Sequence, residues 1–197
     1  MLVVLHFALE MIHKHLHDDL IIVAYILSIV KKDVIYWINA LHLEEHPEGG
    51  YFVDSYQSEK FVSLPEYSGR RHACTAIYYL LEGEDFSSFH RLKSDELWHF
   101  YAGSSLTLHI IEKEGGLNEV KLGANFDNKE IFQAVMKSGS WFAASVNEHN
   151  SYSLVGCTTS PGFDYDDWEL ADINTLKKMY PQHKSTIEKY TKPISST

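Results

Sequence analysis

The stretch from Gly83 to Gly103, GEDFSSFHRLKSDELWHFYAG, limits the possible folds more than any other part of this chain. Apolar and polar residues alternate in two short runs between the bracketing glycines, with a polar turn at Lys93, Ser94 and Asp95. A period of two is the signature of a half-buried strand, on which residues i, i+2 and i+4 share a face. A strand through Ser88, His90 and Leu92 therefore sends those three side chains one way and Phe89 and Arg91 the other. A second strand starting at Glu96 places Glu96, Trp98 and Phe100 on one face and Leu97, His99 and Tyr101 on the opposite one. Antiparallel pairing of the two strands would bring His90 and Glu96 together in one pocket with aromatic walls.

The same strand-and-turn pattern continues on both sides. Runs at Tyr51 to Tyr56, Ala73 to Leu81, Ser105 to Ile111, Ile131 to Met136 and Tyr152 to Thr159 read as strands. Turn residues separate them, among them Gly69, the Gly115–Gly116 pair, Gly139 and Ser160 to Gly162. Several short strands at regular spacing predict an all-β sandwich or barrel, and a jelly roll in particular. Helices are predicted only at the two ends. Asp33 to Leu43 has the apolar spacing of a short amphipathic helix, and Ile173 to Tyr190 reads as helical turns interrupted by Pro181.

At 197 residues the chain suits one domain, placed at residues 31–197. Residues 1–30 precede it as an atypical apolar and histidine-rich extension. Its longest apolar run, Leu20 to Val30, falls short of the ~20 residues that a membrane-spanning helix needs. A cytoplasmic protein with an added helical or poorly ordered extension is the expectation, and a signal anchor is the alternative. His13, His15 and His17 read as a solvated face. The net charge of −10 would repel a nucleic acid backbone, so nucleic acid partners are set aside. Cys74 and Cys157 fall in predicted strands without zinc or disulfide spacing, and read as buried thiols.

The central stretch resembles the first motif of the cupins, in which a glycine precedes His-x-His, a glutamate and a second glycine. Here Gly83, His90, Glu96 and Gly103 hold those places and Leu92 replaces the second histidine. More specifically, HPEGGYF (46–52), TAIYYLL (75–81), FHRLKSDELWHFYAG (89–103), GSWFAA (139–144) and YSLVGCTTSPGFDYDDWEL (152–170) resemble the cupin family termed domain of unknown function 985. The resemblance implies a cupin double-stranded β-helix with short flanking helices and a homodimer. In the second cupin motif, Lys137 stands in place of the usual proline and Phe142 in place of the histidine that completes the metal site. GGYFVDSY also resembles the opening of the cupin sugar-nucleotide epimerases, which implies that Phe52 and Asp54 reach into a ligand pocket.

Three chemistries fit these residues. A metal-dependent oxygenase or isomerase needs two or three histidines and a carboxylate. With only His90 and Glu96 in the ligand positions, a divalent ion would be weakly held, so no cofactor is expected. A metal-free epimerase needs a base and an acid. His90 suits the base, Glu96 would orient it and raise its pKa, and Tyr79 or Tyr101 would be the acid. A binding module without turnover needs only the pocket, lined by Phe52, Asp54, Tyr79, His90, Glu96, Trp98, Phe100 and Trp141. In every case the expected partner is a small polar, sugar-like or nucleotide-sugar molecule.

Overall fold

A computed structural model of the chain describes residues 33–193. The 1–30 extension with its three histidines, the signal-anchor alternative and the last four residues lie outside the described residues. Among those described, no helix is long and apolar enough to cross a membrane.

The chain opens with helix α1 (Val34–Leu41), which Asp33 caps by accepting a hydrogen bond from the Tyr36 amide at 2.8 Å and which ends at His42 in the left-handed region. Strands follow in close succession: β1 (Glu44–Glu45), β2 (Tyr51–Gln57), β3 (Phe61–Val62), β4 (Arg71–His72), β5 (Thr75–Glu82), β6 (Phe86–Leu92) and β7 (Asp95–Gly103). Next come β8 (Leu106–Ile111), β9 (Leu117–Leu122), β10 (Gln133–Met136), β11 (Trp141–Val146), β12 (Tyr152–Ser160) and β13 (Trp168–Leu170). Helices α2 (Ile173–Met179) and α3 (Lys184–Lys189), separated by a 3-10 turn at Pro181–His183, complete the chain.

Two antiparallel sheets carry the fold. One has the order β1-β2-β5-β12-β7-β10 and the other β13-β6-β11-β8-β9; β3 and β4 form a separate pair. Their inner faces enclose the main core, which includes Tyr79, Leu81, Trp98, Leu106, Leu108, Phe142 and Val155. Helix α1, through Val34, and Leu43 just after it cover the outer face of the first sheet over Leu80 and Leu154. The carboxy-terminal helices cover the second sheet, with Leu176, Ile187 and Tyr190 packed on Phe89, Ile111 and Trp141. Each sheet thus has one face in the common core and one under helix, and its central strands read as nearly continuous apolar runs for that reason.

The predicted antiparallel pairing of the two central strands does not occur. β6 belongs to the second sheet, where β11 and β13 flank it, and β7 to the first, between β12 and β10. The short turn between them carries the chain from one sheet to the other, as jelly rolls do. From Phe89 to Leu92 and along β7 the faces are as the alternation predicts, because a change of sheet leaves the period of two intact, but a register shift between β6 and β11 turns Ser87 inward to Glu48 and Ser88 outward, where its hydroxyl accepts from the Lys192 amide. Cys157 is a buried free thiol on β12, whereas Cys74 lies just outside β5, only partly buried.

Candidate functional site

A cavity of about 210 Å3 opens between the two sheets. β6 sends in His90 and Leu92, β7 Glu96 and Trp98, β5 Tyr79, and β2 Phe52 and the exposed Asp54. Phe163, Tyr165 and Trp168, which precede and begin β13, form its aromatic rim. They run edge to face, with ring centroids 5.1 and 6.0 Å apart. The Phe163 amide donates to Thr75 Oγ1 at 2.9 Å and fixes this rim to β5.

The segment HPEGG supplies two further lining residues, His46 and Glu48. Gly49 and Gly50 both have positive φ, 117° and 73°, and a Cβ on Gly50 would meet the Leu80 carbonyl oxygen at 2.4 Å. Only glycine turns the chain sharply enough at that distance from β5. The Gly50 amide donates to Asp85 Oδ2 at 2.7 Å and the Ser88 amide to the Glu48 carbonyl at 3.2 Å, so the turn is tied to the beginning of β6. Glu48 is thereby held inside the cavity. Its Oε2 accepts from Ser87 Oγ at 2.8 Å and its Oε1 from Trp168 Nε1 at 2.6 Å. Burial raises its pKa, and the Ser87 and Trp168 donors work against that rise.

His90 is oriented from one side. Its Nδ1 lies 2.8 Å from the Ser88 carbonyl oxygen and 3.2 Å from Glu48 Oε2, and both of these accept, so Nδ1 carries the hydrogen. Nε2 is then the nitrogen with the unshared pair. The Phe142 ring stands 4.0 Å away, edge to face. Burial lowers the His90 pKa to about 4, so the ring is neutral at pH 7. This corrects the expectation that Glu96 raises it: Glu48 is the carboxyl group beside His90, and desolvation outweighs the hydrogen bond to the Ser88 carbonyl, which favours the charged ring. His46 is likewise lowered by burial.

Glu96 faces the same cavity from the other sheet, and no hydrogen bond joins it to His90 among the described residues. It is 8% exposed, and burial pushes its pKa up to about 8. The Trp98 indole favours the anion, but neither Glu96 Oε2 nor Trp98 Nε1 has a hydrogen-bond partner of good geometry. Glu96 is therefore mainly a neutral carboxylic acid at pH 7, able to donate.

Several residues named from the sequence lie elsewhere. Tyr101 is 52% exposed, sits at a bulge opposite β12, and lays its ring over Gly156 on the outer face of the sheet. It cannot reach the cavity as an acid. Tyr79 does line the cavity, but its hydroxyl donates to the Gly49 carbonyl at 2.6 Å, which commits its proton to the turn. Trp141 points outward beneath the carboxy-terminal helices, with the Arg91 guanidinium 4.6 Å from its ring centre; its neighbour Phe142 takes the inward place. Phe100 packs against the main core without lining the cavity. Phe52, Asp54, Tyr79, His90, Glu96 and Trp98 do come together. His46, Glu48 and Trp168 were missed, although the HPEGG and DDWEL segments that hold them were quoted as motifs.

The metal set of cupins does not fit these residues. Leu92 and Phe142 occupy two ligand positions with hydrocarbon, which leaves only His90 and Glu96 of the set. Among the described residues, no three His, Cys, Asp or Glu side chains are grouped to hold an ion.

Comparison with known proteins agrees with this architecture. A hypothetical protein from Leishmania major of solved structure is 37% identical, with 81% of this chain and 98% of that one aligned at a TM-score of 0.77. A Shewanella oneidensis protein of solved structure is 40% identical, over 82% and 99% of the two chains, at 0.75. An uncharacterized Saccharomyces cerevisiae protein is 27% identical over 143 residues, 66% of this chain and 71% of the yeast one. Residues 35–171 match the family described as Cupin superfamily (DUF985), and the chain belongs to that family.

Proposed function

We propose that the cavity binds a small polar, sugar-like molecule and that the protein acts on it as a metal-independent isomerase or epimerase, with His90 as the base and Glu96 as the acid. The observation that carries this reading is the pairing, within one cavity, of an imidazole anchored through Nδ1 and a carboxyl group that keeps its proton at pH 7. Groups with pKa values pushed in opposite directions are the usual arrangement for proton transfer. Nε2 takes a proton from the carbon next to a carbonyl group, while Glu96 donates to the carbonyl oxygen to give the enol. Return of a proton from solvent to the other face, with the enol proton going back to Glu96 and the His90 proton lost to solvent, inverts the carbon, whereas return from Nε2 to the adjacent carbon moves the carbonyl. No electrons leave the substrate in either case. Glu48, 3.2 Å from Nδ1, stabilises the imidazolium as it forms.

The cavity volume lies below the ~300–1,000 Å3 of drug-sized sites, which suits a ligand of single-sugar size. Incubation with candidate keto sugars in deuterated water tests the reading. Deuterium should enter the carbon next to the carbonyl, and His90→Ala should abolish the exchange while the protein stays folded. Binding without exchange would identify a binding module instead. The homodimer implied by the family belongs to the same proposal, and sedimentation velocity measures it.

A further inference from the structure

Among the described residues, the cavity lining contains no lysine or arginine, although the chain has 17. Phosphate and carboxylate ligands are ordinarily held by such side chains, most strongly by bidentate arginine. What this cavity offers is the reverse. Glu48 lies at its floor with Ser87, Trp168 and His90 all turned towards its oxygens, the arrangement of an anion. Asp54 is exposed on its wall, and the aromatic faces of Trp168, Tyr165 and Phe163 form the rim. Aromatic faces attract cations. Glu96 adds a carboxyl group that is more than nine-tenths buried and has an oxygen without a hydrogen-bond partner.

We infer that the cavity selects a ligand bearing an ammonium group, an amino sugar or similar amino polyol, over a phosphorylated or nucleotide-linked sugar. This deepens the proposed function and rests on it. An ammonium N–H beside Glu96 supplies the missing partner, and its charge favours the carboxylate. The Glu96 proton then leaves for the solvent, so that ligand ammonium and protonated carboxyl group become an ion pair plus one released proton, and for such a ligand the ammonium N–H, in place of Glu96, is the donor to the carbonyl oxygen. The groups facing Glu96 do not supply that charge themselves. Glu48 on the turn before β2 and Cys157 on β12 are acidic, Tyr79 on β5 is a neutral phenol, and His90 on β6 and His46 are held neutral by burial.

Isothermal titration of the full chain at pH 7 with glucosamine, glucose and glucose 6-phosphate, in two buffers of different ionisation enthalpy, tests this. Glucosamine should bind about tenfold or more tighter than glucose, glucose 6-phosphate should bind weakest, and only glucosamine should release a proton. Glu96→Gln should remove the proton release and Asp54→Asn should narrow the preference. Equal binding of glucose and glucosamine, or tighter binding of the phosphate, would overturn the inference and leave the sugar site standing. Failure of all three to bind would overturn both.

Discussion

His90 is useful to the proposed chemistry because one of its nitrogens is spoken for and the other is not. Substituting asparagine should keep a donor towards Ser88 and Glu48 yet lose the base, so His90→Asn is expected to lower deuterium exchange at least about 100-fold with little change in melting temperature. Leu92 and Phe142 lead to a second expectation. Placing histidines at both positions rebuilds the donor set that cupin metal sites use, so Leu92→His with Phe142→His should bind a divalent ion stoichiometrically by metal analysis, whereas the natural chain should retain far less. Equal retention by both would contradict the reading of those positions. Residue types and strand period were enough to place His90, Glu96 and Trp98 on inward faces. They were not enough to pair them, because alternation fixes a face but not the sheet to which a strand belongs. Tyr101 lies on the face opposite Glu96 that the alternation gives it, so naming it as an acid for the cavity went against the period, and at Trp141 the inward place belongs to its neighbour Phe142.

Among the elements, the HPEGG turn was the least legible. It has no periodicity, and Glu48 acquires its role only from β6, β13 and the aromatic rim that converge on it. Gly50→Ala is expected to destabilise the fold by roughly 3 kcal/mol through a left-handed backbone and a clash with Leu80, measurable by denaturant unfolding. The helical ends, by contrast, were readable from apolar spacing and Pro181. The carboxy-terminal segment docks through Tyr190, whose ring stacks on His109 at 4.1 Å. Beneath it, His109 joins Glu119 at 2.9 Å and Ser145 at 3.1 Å. That arrangement has the spacing of a hydrolytic triad, but Tyr190 covers it and Ser145 also donates to the Tyr190 hydroxyl at 3.4 Å, so it serves as the seat of the helix. Tyr190→Ala should cost roughly 3 kcal/mol and speed amide exchange in the last two helices while sparing the cavity.

For the whole molecule, the two buried cavity groups impose opposite pH slopes on stability. An unfolded chain takes up a proton on His90 below pH 6.5, whereas the folded chain resists until about pH 4, so stability falls as pH drops through that window, by roughly 3 kcal/mol in all. Glu96 ionises above pH 4.5 when unfolded but near pH 8 when folded, so stability falls as pH rises between those values, by roughly 5 kcal/mol. His46 acts in the same sense as His90, and Glu48 in the same sense as Glu96. Above pH 6.5 the carboxyl slope stands alone, and Glu96→Gln should flatten the decline in melting temperature between pH 6.5 and 8. The jelly roll itself was legible because many short strands and glycine turns admit few other folds, whereas these charge states depend on burial that no local pattern records. The most direct test is an NMR titration of the full chain with labelled glutamate and histidine side chains. The account predicts that the Glu96 carboxyl carbon titrates near pH 8 and that His90 remains a neutral Nδ1–H ring down to about pH 4. A Glu96 midpoint near 4.5 together with a His90 midpoint at 6.5 or above would contradict it.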